Sequence, residues 1–232
     1  MAELETIKEL AEEVLTKSKN SAMIGRYLWE RTQRLIQNVE YICGLSETAQ
    51  PQTKIDRFCL FCATYFSETG LSVFVKRKAP ISYPFFKSGS DGVLKLCAQK
   101  IDSKLGPLLT EHQITTIKKI ISESYSRSTD MTEAMVLSDA RNLEDMGAVG
   151  LFHELRRFVS QGKNISDVLL HWRKQIDYRY WQARIKDSFW FDDIRELARQ
   201  RLETAEQFMN QLQVETEAKD LKALTESFQN TN

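Results

Sequence analysis

The stretch that decides the fold reads Ser138-Asp139-Ala140-Arg141-Asn142-Leu143-Glu144-Asp145-Met146-Gly147-Ala148-Val149-Gly150. Its pattern predicts a helix from about residue 130 to about residue 158, with residues 147–150 as a packing turn. Asp139 is the residue of chemical interest in this stretch. A carboxylate there caps a helix, lies at the edge of the core beside a local partner, or binds a metal ion.

Helical periodicity continues on both sides of this stretch. The chain has 9 Gly and 4 Pro in 232 residues, so turn signals are few, and no segment alternates at period two for long enough to indicate a sheet. An all-α fold follows, organised as an N-terminal helix (1–19) that packs on a helical domain (20–215), with a polar C-terminal tail (216–232). The predicted helices span residues 3–18, 22–43, 53–67 and 90–105, one from 110, one from about 165 and one from about 189 to 212. Residues 76–92 are predicted to be a loop.

The charge composition argues against several classes of partner. Lys and Arg together number 32, as do Asp and Glu, so no net charge favours binding to nucleic acid or to a membrane surface. No apolar run approaches the ~20 residues of a membrane span. The acidic start, residues 1–5, is unlike a secretory signal peptide. The sequence therefore predicts a cytoplasmic protein.

Four cysteines lie at positions 43, 59, 62 and 97, each among apolar neighbours. Cys59 and Cys62 have CxxC spacing, but no second pair or nearby His completes a zinc site. We expect buried free thiols that act as small hydrophobic side chains.

The 138–150 stretch resembles the last metal-ligand motif of the HD-domain phosphohydrolases, in which Asp-Ala-Asp-x-Leu-(Asp/Glu)-x-(Ile/Met)-Gly-Ala-(Ile/Val)-Gly is typical. These helical enzymes cleave phosphoesters at a metal bound by His and Asp. The resemblance covers roughly residues 20–215, and it includes a closing helix whose similarity runs from Phe191 to Met209. It implies an HD-domain-like helical bundle.

The upstream metal-ligand motifs of that family are altered here. Residues 26–35 resemble the first motif, with Arg31 where the family has a His. Residues 62–70 resemble the helix that ends in Leu-His-Asp-x-Gly, with Phe66-Ser67, or the pair one residue on, in place of His-Asp. Of the family's metal-ligand positions, the resemblance implies that only Asp139 is retained as a ligand residue.

This loss implies a degenerate site without a bound metal, because a water-activating cation needs several converging His or Asp ligands. A guanidinium at Arg31 repels a cation and predicts an ion pair between Arg31 and Asp139 instead. We refer to the residues implied here as the relic pocket: Glu30, Arg31, Tyr65, Phe66, Ser67, Glu68 and Asp139. Arg26 and Arg34, on the same helix as Arg31, are possible anion-binding residues.

Other candidate sites carry less weight. The three histidines, His112, His153 and His171, do not share the i, i+3 or i, i+4 spacing of a metal pair and predict surface or packing roles. Residues 171–184 mix aromatic and basic side chains, which could stack on bases and meet phosphates. Helical spacing instead favours an inward aromatic face with Trp172, Ile176, Trp181 and one of the tyrosines at 178 and 180.

Three functions follow as expectations. The favoured one is a catalytically degenerate binding or regulatory module, without a cofactor, for a protein or small-molecule ligand, possibly as a homodimer. The first alternative is a phosphohydrolase for nucleotides or phosphomonoesters that holds Mn, Fe, Mg or Ni at a relocated site. The second alternative is nucleic-acid binding through residues 171–184, which the neutral charge makes the least favoured.

Overall fold

A computed structural model describes residues 2–17, 22–45, 48, 54–72 and 90–222. Their secondary structure is helical, without a strand in these ranges, which confirms the all-α prediction. The helices of nine or more residues in these ranges are α1 (Ala2–Thr16), α2 (Ala22–Ile42), α3 (Arg57–Phe66), α4 (Asp91–Leu105), α5 (Glu111–Glu123), α6 (Thr132–Glu144), α7 (Gly147–Ser160), α8 (Ile165–Asp177), α9 (Tyr180–Ser188) and α10 (Asp192–Thr216).

Side-chain caps determine where several helices begin. Thr110 at α5 and Asn164 at α8 each form a capping box with the residue three positions on. These reciprocal hydrogen bonds satisfy amide groups that a helix start leaves open. Asp56 accepts a hydrogen bond from the amide of Cys59 at 2.9 Å, so α3 begins at residue 57, later than the predicted residue 53.

The chain divides into two compact units. The first comprises residues 1–144 and 188–194, and the second comprises residues 145–187 and 195–232. In the first unit α1 packs on α2 and α3, while α6 packs against α2, α3 and α5. Its core is aliphatic and aromatic, and the largest fully buried side chains include Leu35, Leu60, Phe66, Ile101, Ile117 and Leu137.

Helix α6 carries the 138–144 part of the deciding stretch and is buried on most of its circumference. Its buried residues include Leu137 and Leu143, but also four charged ones: Glu133, Asp139, Arg141 and Glu144. A helix buried all round needs an apolar partner on every side, and each buried charge needs a polar partner. Helix α6 therefore contributes four buried charged side chains to the first unit.

The single helix predicted from residue 130 to residue 158 is wrong in its continuity, because α6 ends at Glu144 and α7 begins at Gly147. Gly147 has a positive φ of 70°, which glycine adopts without the steric cost of a Cβ. A Cβ at this position would also lie 2.8 Å from Cβ of Arg201. The turn and the close approach to α10 both require glycine.

The second unit contains α7, α8, α9 and most of α10. Its core is built on Phe158, Trp172, Trp181, Leu202 and Met209. The helix predicted from about residue 165 ends at Asp177, and α9 begins at Tyr180 after Arg179 with a φ of 51°. That break between α8 and α9 was not predicted.

Two predicted segments fall partly beyond the described ranges. Residues 73–89, which hold most of the predicted 76–92 loop, lie outside the described residues, as do residues 223–232 of the predicted tail. Among the helices that the structure describes, none combines the length and apolar character needed to cross a bilayer.

Candidate functional site

Three charged side chains meet inside the first unit, and we refer to Arg31, Glu68 and Arg141 as the charge cluster. Nε of Arg31 lies 3.8 Å from Oε1 of Glu68, and Nε of Arg141 lies 4.0 Å from the same oxygen. The three side chains are between 1% and 9% exposed. Two guanidinium groups therefore face one carboxylate in a region that water scarcely reaches.

Three different elements bring the charge cluster together. Arg31 lies in the middle of α2, Glu68 follows the end of α3, and Arg141 lies in the last turn of α6. Since α2, α3 and α6 pack against one another, side chains on their facing sides have to meet. Neither oxygen of Glu68 accepts a hydrogen bond within the described part of the chain, so the attraction to both arginines is mainly Coulombic.

Arg141 was missed by the sequence-based site prediction. Its Nη1 donates a hydrogen bond to Oγ of Ser124, and its guanidinium lies 4.2 Å from the ring centroid of Tyr125. Guanidinium groups stack favourably on aromatic faces. The sequence did contain a signal, because Arg141 stands where the Asp-Ala-Asp motif has its second Asp.

The structure also bears on the motif register that the sequence left open after α3. Glu68 belongs to the pair one residue on from Phe66-Ser67, and it is Glu68 that contacts the arginines. Gly70 supports this register, since a Cβ there would lie 2.3 Å from the carbonyl oxygen of Val93. In this register the resemblance would align Ser67-Glu68-Thr69-Gly70 with His-Asp-x-Gly, and that alignment stays a prediction.

Asp139 is fully buried and holds the segment that precedes α10. Its carboxylate accepts hydrogen bonds from the backbone N–H of Trp190 at 2.9 and 3.1 Å and from that of Phe191 at 3.1 Å. Asn142, one turn further along α6, donates to the carbonyl oxygen of Ser188 at 2.7 Å. Asp139 therefore acts as a buried carboxylate that accepts hydrogen bonds from the backbone of residues 190 and 191, and its pairing with Arg31 stays a prediction.

The remaining residues of the relic pocket lie in different surroundings. Glu30 is exposed on α2 and accepts a hydrogen bond from Arg26 at 2.9 Å. Tyr65 is buried, with its ring stacked at 6.4 Å from that of Trp29. Ser67 donates its hydroxyl to a carbonyl within its own turn, and Phe66 is fully buried, its carbonyl accepting from the thiol of Cys97. Of the relic pocket, Arg31 and Glu68 belong to the charge cluster, while Glu30, Tyr65, Phe66 and Ser67 make the other contacts described here.

The two arginines proposed to bind anions have acidic partners. Nε of Arg34 donates to Glu144 at 2.9 Å, and Glu144 is 2% exposed. Asn38 donates to the other oxygen of Glu144 at 3.4 Å. Arg26 pairs with Glu30 on the surface of α2. An anionic ligand would have to displace a carboxylate at either position, and the Arg34–Glu144 pair acts as a tie between α2 and α6.

The residues of the charge cluster, together with Asp139, do not fit a catalytic metal. A guanidinium is a donor with no lone pair to offer a cation, and it stays charged at any physiological pH. Two such groups contact Glu68, and both oxygens of Asp139 already accept backbone hydrogen bonds. In the described ranges no group of three or more His, Cys, Asp or Glu side chains is arranged to hold a metal ion.

The histidines take up other contacts. His112 is exposed at the start of α5. In the second unit, Nε2 of His171 lies 3.0 Å from Oε1 of Glu154, which also accepts a hydrogen bond from Arg157 at 3.0 Å. The ring of His171 packs at 5.3 Å from that of Phe158. His171 thus helps to fasten α8 to α7.

All four cysteines are buried and free, as predicted. Burial raises the pKa of the Cys59 thiol to about 12, and the hydrogen bond with Asp56 adds to the shift. Burial likewise raises the pKa of the Cys97 thiol to about 11. Because the thiolate is the nucleophile and the metal ligand, neither thiol is prepared for redox or metal chemistry at neutral pH.

The aromatic-basic stretch 171–184 uses its tryptophans for packing. Trp172 and Trp181 are 9% and 7% exposed and lie 5.8 Å apart, ring centroid to ring centroid. Arg184 donates to Asp145 at 2.7 Å. Tyr178 and Tyr180 are 81% and 40% exposed, so neither tyrosine belongs to the inward face, and that part of the prediction is wrong. The two tryptophans of this stretch are therefore buried in the second unit, while its tyrosines are exposed.

Comparisons with known proteins give a fold and no family. No family model matches the sequence, and no curated protein matches it. Two solved structures are similar: Bacillus subtilis YpgQ in complex with ADP, with a TM-score of 0.61 and 18% identity over 92% of this chain and 95% of that chain, and Bacillus subtilis YpgQ, with a TM-score of 0.60 and 17% identity over 93% and 97%. At this identity the likeness establishes the helical fold alone.

Proposed function

We propose that this chain is a catalytically degenerate HD-like helical protein that acts as a binding or regulatory module without a bound metal. The observation that carries the proposal is the charge cluster. Arg31 and Arg141 stand at positions where the resembled motifs have a His and an Asp, and both contact the buried Glu68. Guanidinium groups at ligand positions repel a divalent cation instead of binding it.

The test is to measure metal content and phosphoesterase activity together. Purified protein is incubated with Mn, Fe, Mg or Ni, desalted and analysed for bound metal, and then assayed with a chromogenic phosphomonoester and with nucleotides. We expect substoichiometric metal and no hydrolysis above the buffer rate. Stoichiometric metal, with hydrolysis that a chelator abolishes and that Asp139→Asn removes, would overturn the proposal.

A second candidate is phosphohydrolysis of nucleotides at a relocated metal site, and one comparison favours it. A solved structure with a similar fold is a complex with ADP. Calorimetric titration with ADP, with and without Mg, separates the two candidates. Binding without hydrolysis supports a nucleotide-binding module, and metal-dependent turnover supports the enzyme.

A further inference from the structure

A groove lies between α4 and α5 in the first unit, and it contains none of the residues of the charge cluster. Its volume is about 340 Å³, which falls in the range of small-molecule sites. The floor is apolar. Leu94, Ala98 and Ile101 come from α4 at i, i+4 and i+7, the spacing of one helix face, and Ile121 comes from α5.

The described lining includes the hydroxyl of Ser122, which donates a hydrogen bond to the carbonyl oxygen of Lys119 at 3.0 Å. The thiol of Cys97 also lines the groove, but it is 2% exposed and donates to the carbonyl oxygen of Phe66. Because burial raises its pKa to about 11, this thiol stays neutral. A ligand body that rests on this floor has to be apolar.

The sides of the groove carry positive charge. Lys95 on α4 and Lys118 and Lys119 on α5 line it, and no acidic residue of the described ranges does. Lys118 pairs with Asp102. Within the described residues, neither Lys95 nor Lys119 has an acidic partner. The site therefore combines an apolar floor with two available ammonium groups.

We propose that this groove binds a small amphipathic anion, namely a medium-chain carboxylate, with its alkyl tail on the floor and its head group at Lys95 and Lys119. The volume of the groove, about 340 Å³, lies within the range of small-molecule sites, so the proposed occupant is a small molecule. At about 30 Å³ for each heavy atom, on the order of ten atoms fill it. This inference goes beyond the proposed function and does not depend on it.

Isothermal titration with carboxylates of increasing length tests the tail. Each methylene that becomes buried tightens binding by about fourfold, so affinity should rise from hexanoate through octanoate to decanoate and then level off once the groove is full. Decanamide, which has the same tail and no charge, should bind more weakly than decanoate. Absence of decanoate binding at millimolar concentration would overturn the proposal, as would equal binding of the amide.

Variants locate the binding. Lys95→Gln combined with Lys119→Gln should weaken decanoate binding by about fivefold or more, and Ala98→Phe should abolish it because the ring fills the floor. Lys100→Gln, on the same helix but outside the groove, is the matched control and should bind like the parent chain. Circular dichroism establishes that Ala98→Phe is folded; if it is not, the lysine pair alone decides. Unchanged affinity in the lysine pair would overturn the assignment to this groove.

The readout separates this proposal from the proposed function. Ligand titration requires no metal and no turnover, so a hydrolase would still show groove binding. A degenerate protein with an empty groove would show neither heat of binding nor hydrolysis.

Discussion

Replacing Glu68 by Gln should destabilise the first unit by several kcal/mol. The substitution keeps the shape of the side chain but removes the negative charge of Glu68, which lies 3.8 Å from Arg31 and 4.0 Å from Arg141. With an effective dielectric constant of about 20, each contact contributes about 4 kcal/mol of Coulomb attraction. Removing one partner of a buried pair destabilises proteins by about 3–5 kcal/mol, and we expect a loss in that range.

Urea unfolding followed by far-UV circular dichroism measures the effect. With a slope of about 2–3 kcal/mol per molar, the midpoint should fall by roughly 1–2 M. A buried glutamine cannot neutralise two guanidinium groups. The double variant Arg31→Met, Glu68→Gln should therefore lose less unfolding free energy than the two single variants lose together. Residues in one charged network are expected to couple in this way.

Glu30→Gln is the matched control, since it makes the same chemical change one residue before Arg31. Glu30 pairs with Arg26 at 2.9 Å, a shorter distance than either contact of Glu68, but both side chains are about half exposed or more. Exposed pairs at i, i+4 contribute about 0.3–0.5 kcal/mol. Burial, and not distance, should therefore decide the outcome. A loss below about 1 kcal/mol for Glu68→Gln, or equal losses for the two variants, would refute this reasoning.

Three further predictions concern the turn, the buried acid and the thiols. Gly147 and Gly162 share a φ of +70°. Gly162→Ala, with no atom within 4 Å of the new Cβ, should lower the free energy of unfolding in urea by about 1–2 kcal/mol. Gly147→Ala, whose Cβ would lie 3.0 Å from a backbone oxygen of α10, should lower it by about 1–3 kcal/mol more. Equal losses would contradict the close approach. Asp139→Asn should cost about 1–3 kcal/mol and speed amide hydrogen exchange at Trp190, measured by mass spectrometry, because hydrogen bonds to a charged acceptor are the stronger ones; unchanged exchange would refute the anchoring role. Cys59, with its pKa raised by burial to about 12, should resist a thiolate-selective reagent at pH 9 until urea is added. The free energy of unfolding should fall as the pH rises from about 9 towards 12, because only the thiol of the unfolded chain ionises in that range.

Local sequence signals predicted the helices and several of their ends. The helix starts predicted near residues 110 and 165 agree with the capped starts at Thr110 and Asn164, and the buried cysteines follow from apolar spacing. The break before Gly147 was missed because the helical pattern continues through it. The break at Arg179 was missed for another reason: a non-glycine residue with positive φ carries no sequence signal.

Long-range contacts explain what the sequence could not predict. Helix α10 begins at Asp192, three residues later than predicted. The amides of Trp190 and Phe191, just before this start, donate hydrogen bonds to the distant Asp139. Glu68 lies 37 positions after Arg31, and only the packing of α2 against α3 brings them together. Resemblance to a motif pointed to both positions, but which side chains meet depends on tertiary structure.

Charge explains how the first unit can bury acids at positions where the resembled family binds a metal. Two guanidinium groups together carry the charge of one divalent cation, and Arg31 and Arg141 supply them beside Glu68. Each guanidinium is fixed to its own helix and needs no ligand of defined geometry, whereas a cation needs several converging donors. Under the proposed function, these two fixed charges would neutralise the buried carboxylate of Glu68, so the first unit would need no cation for its stability.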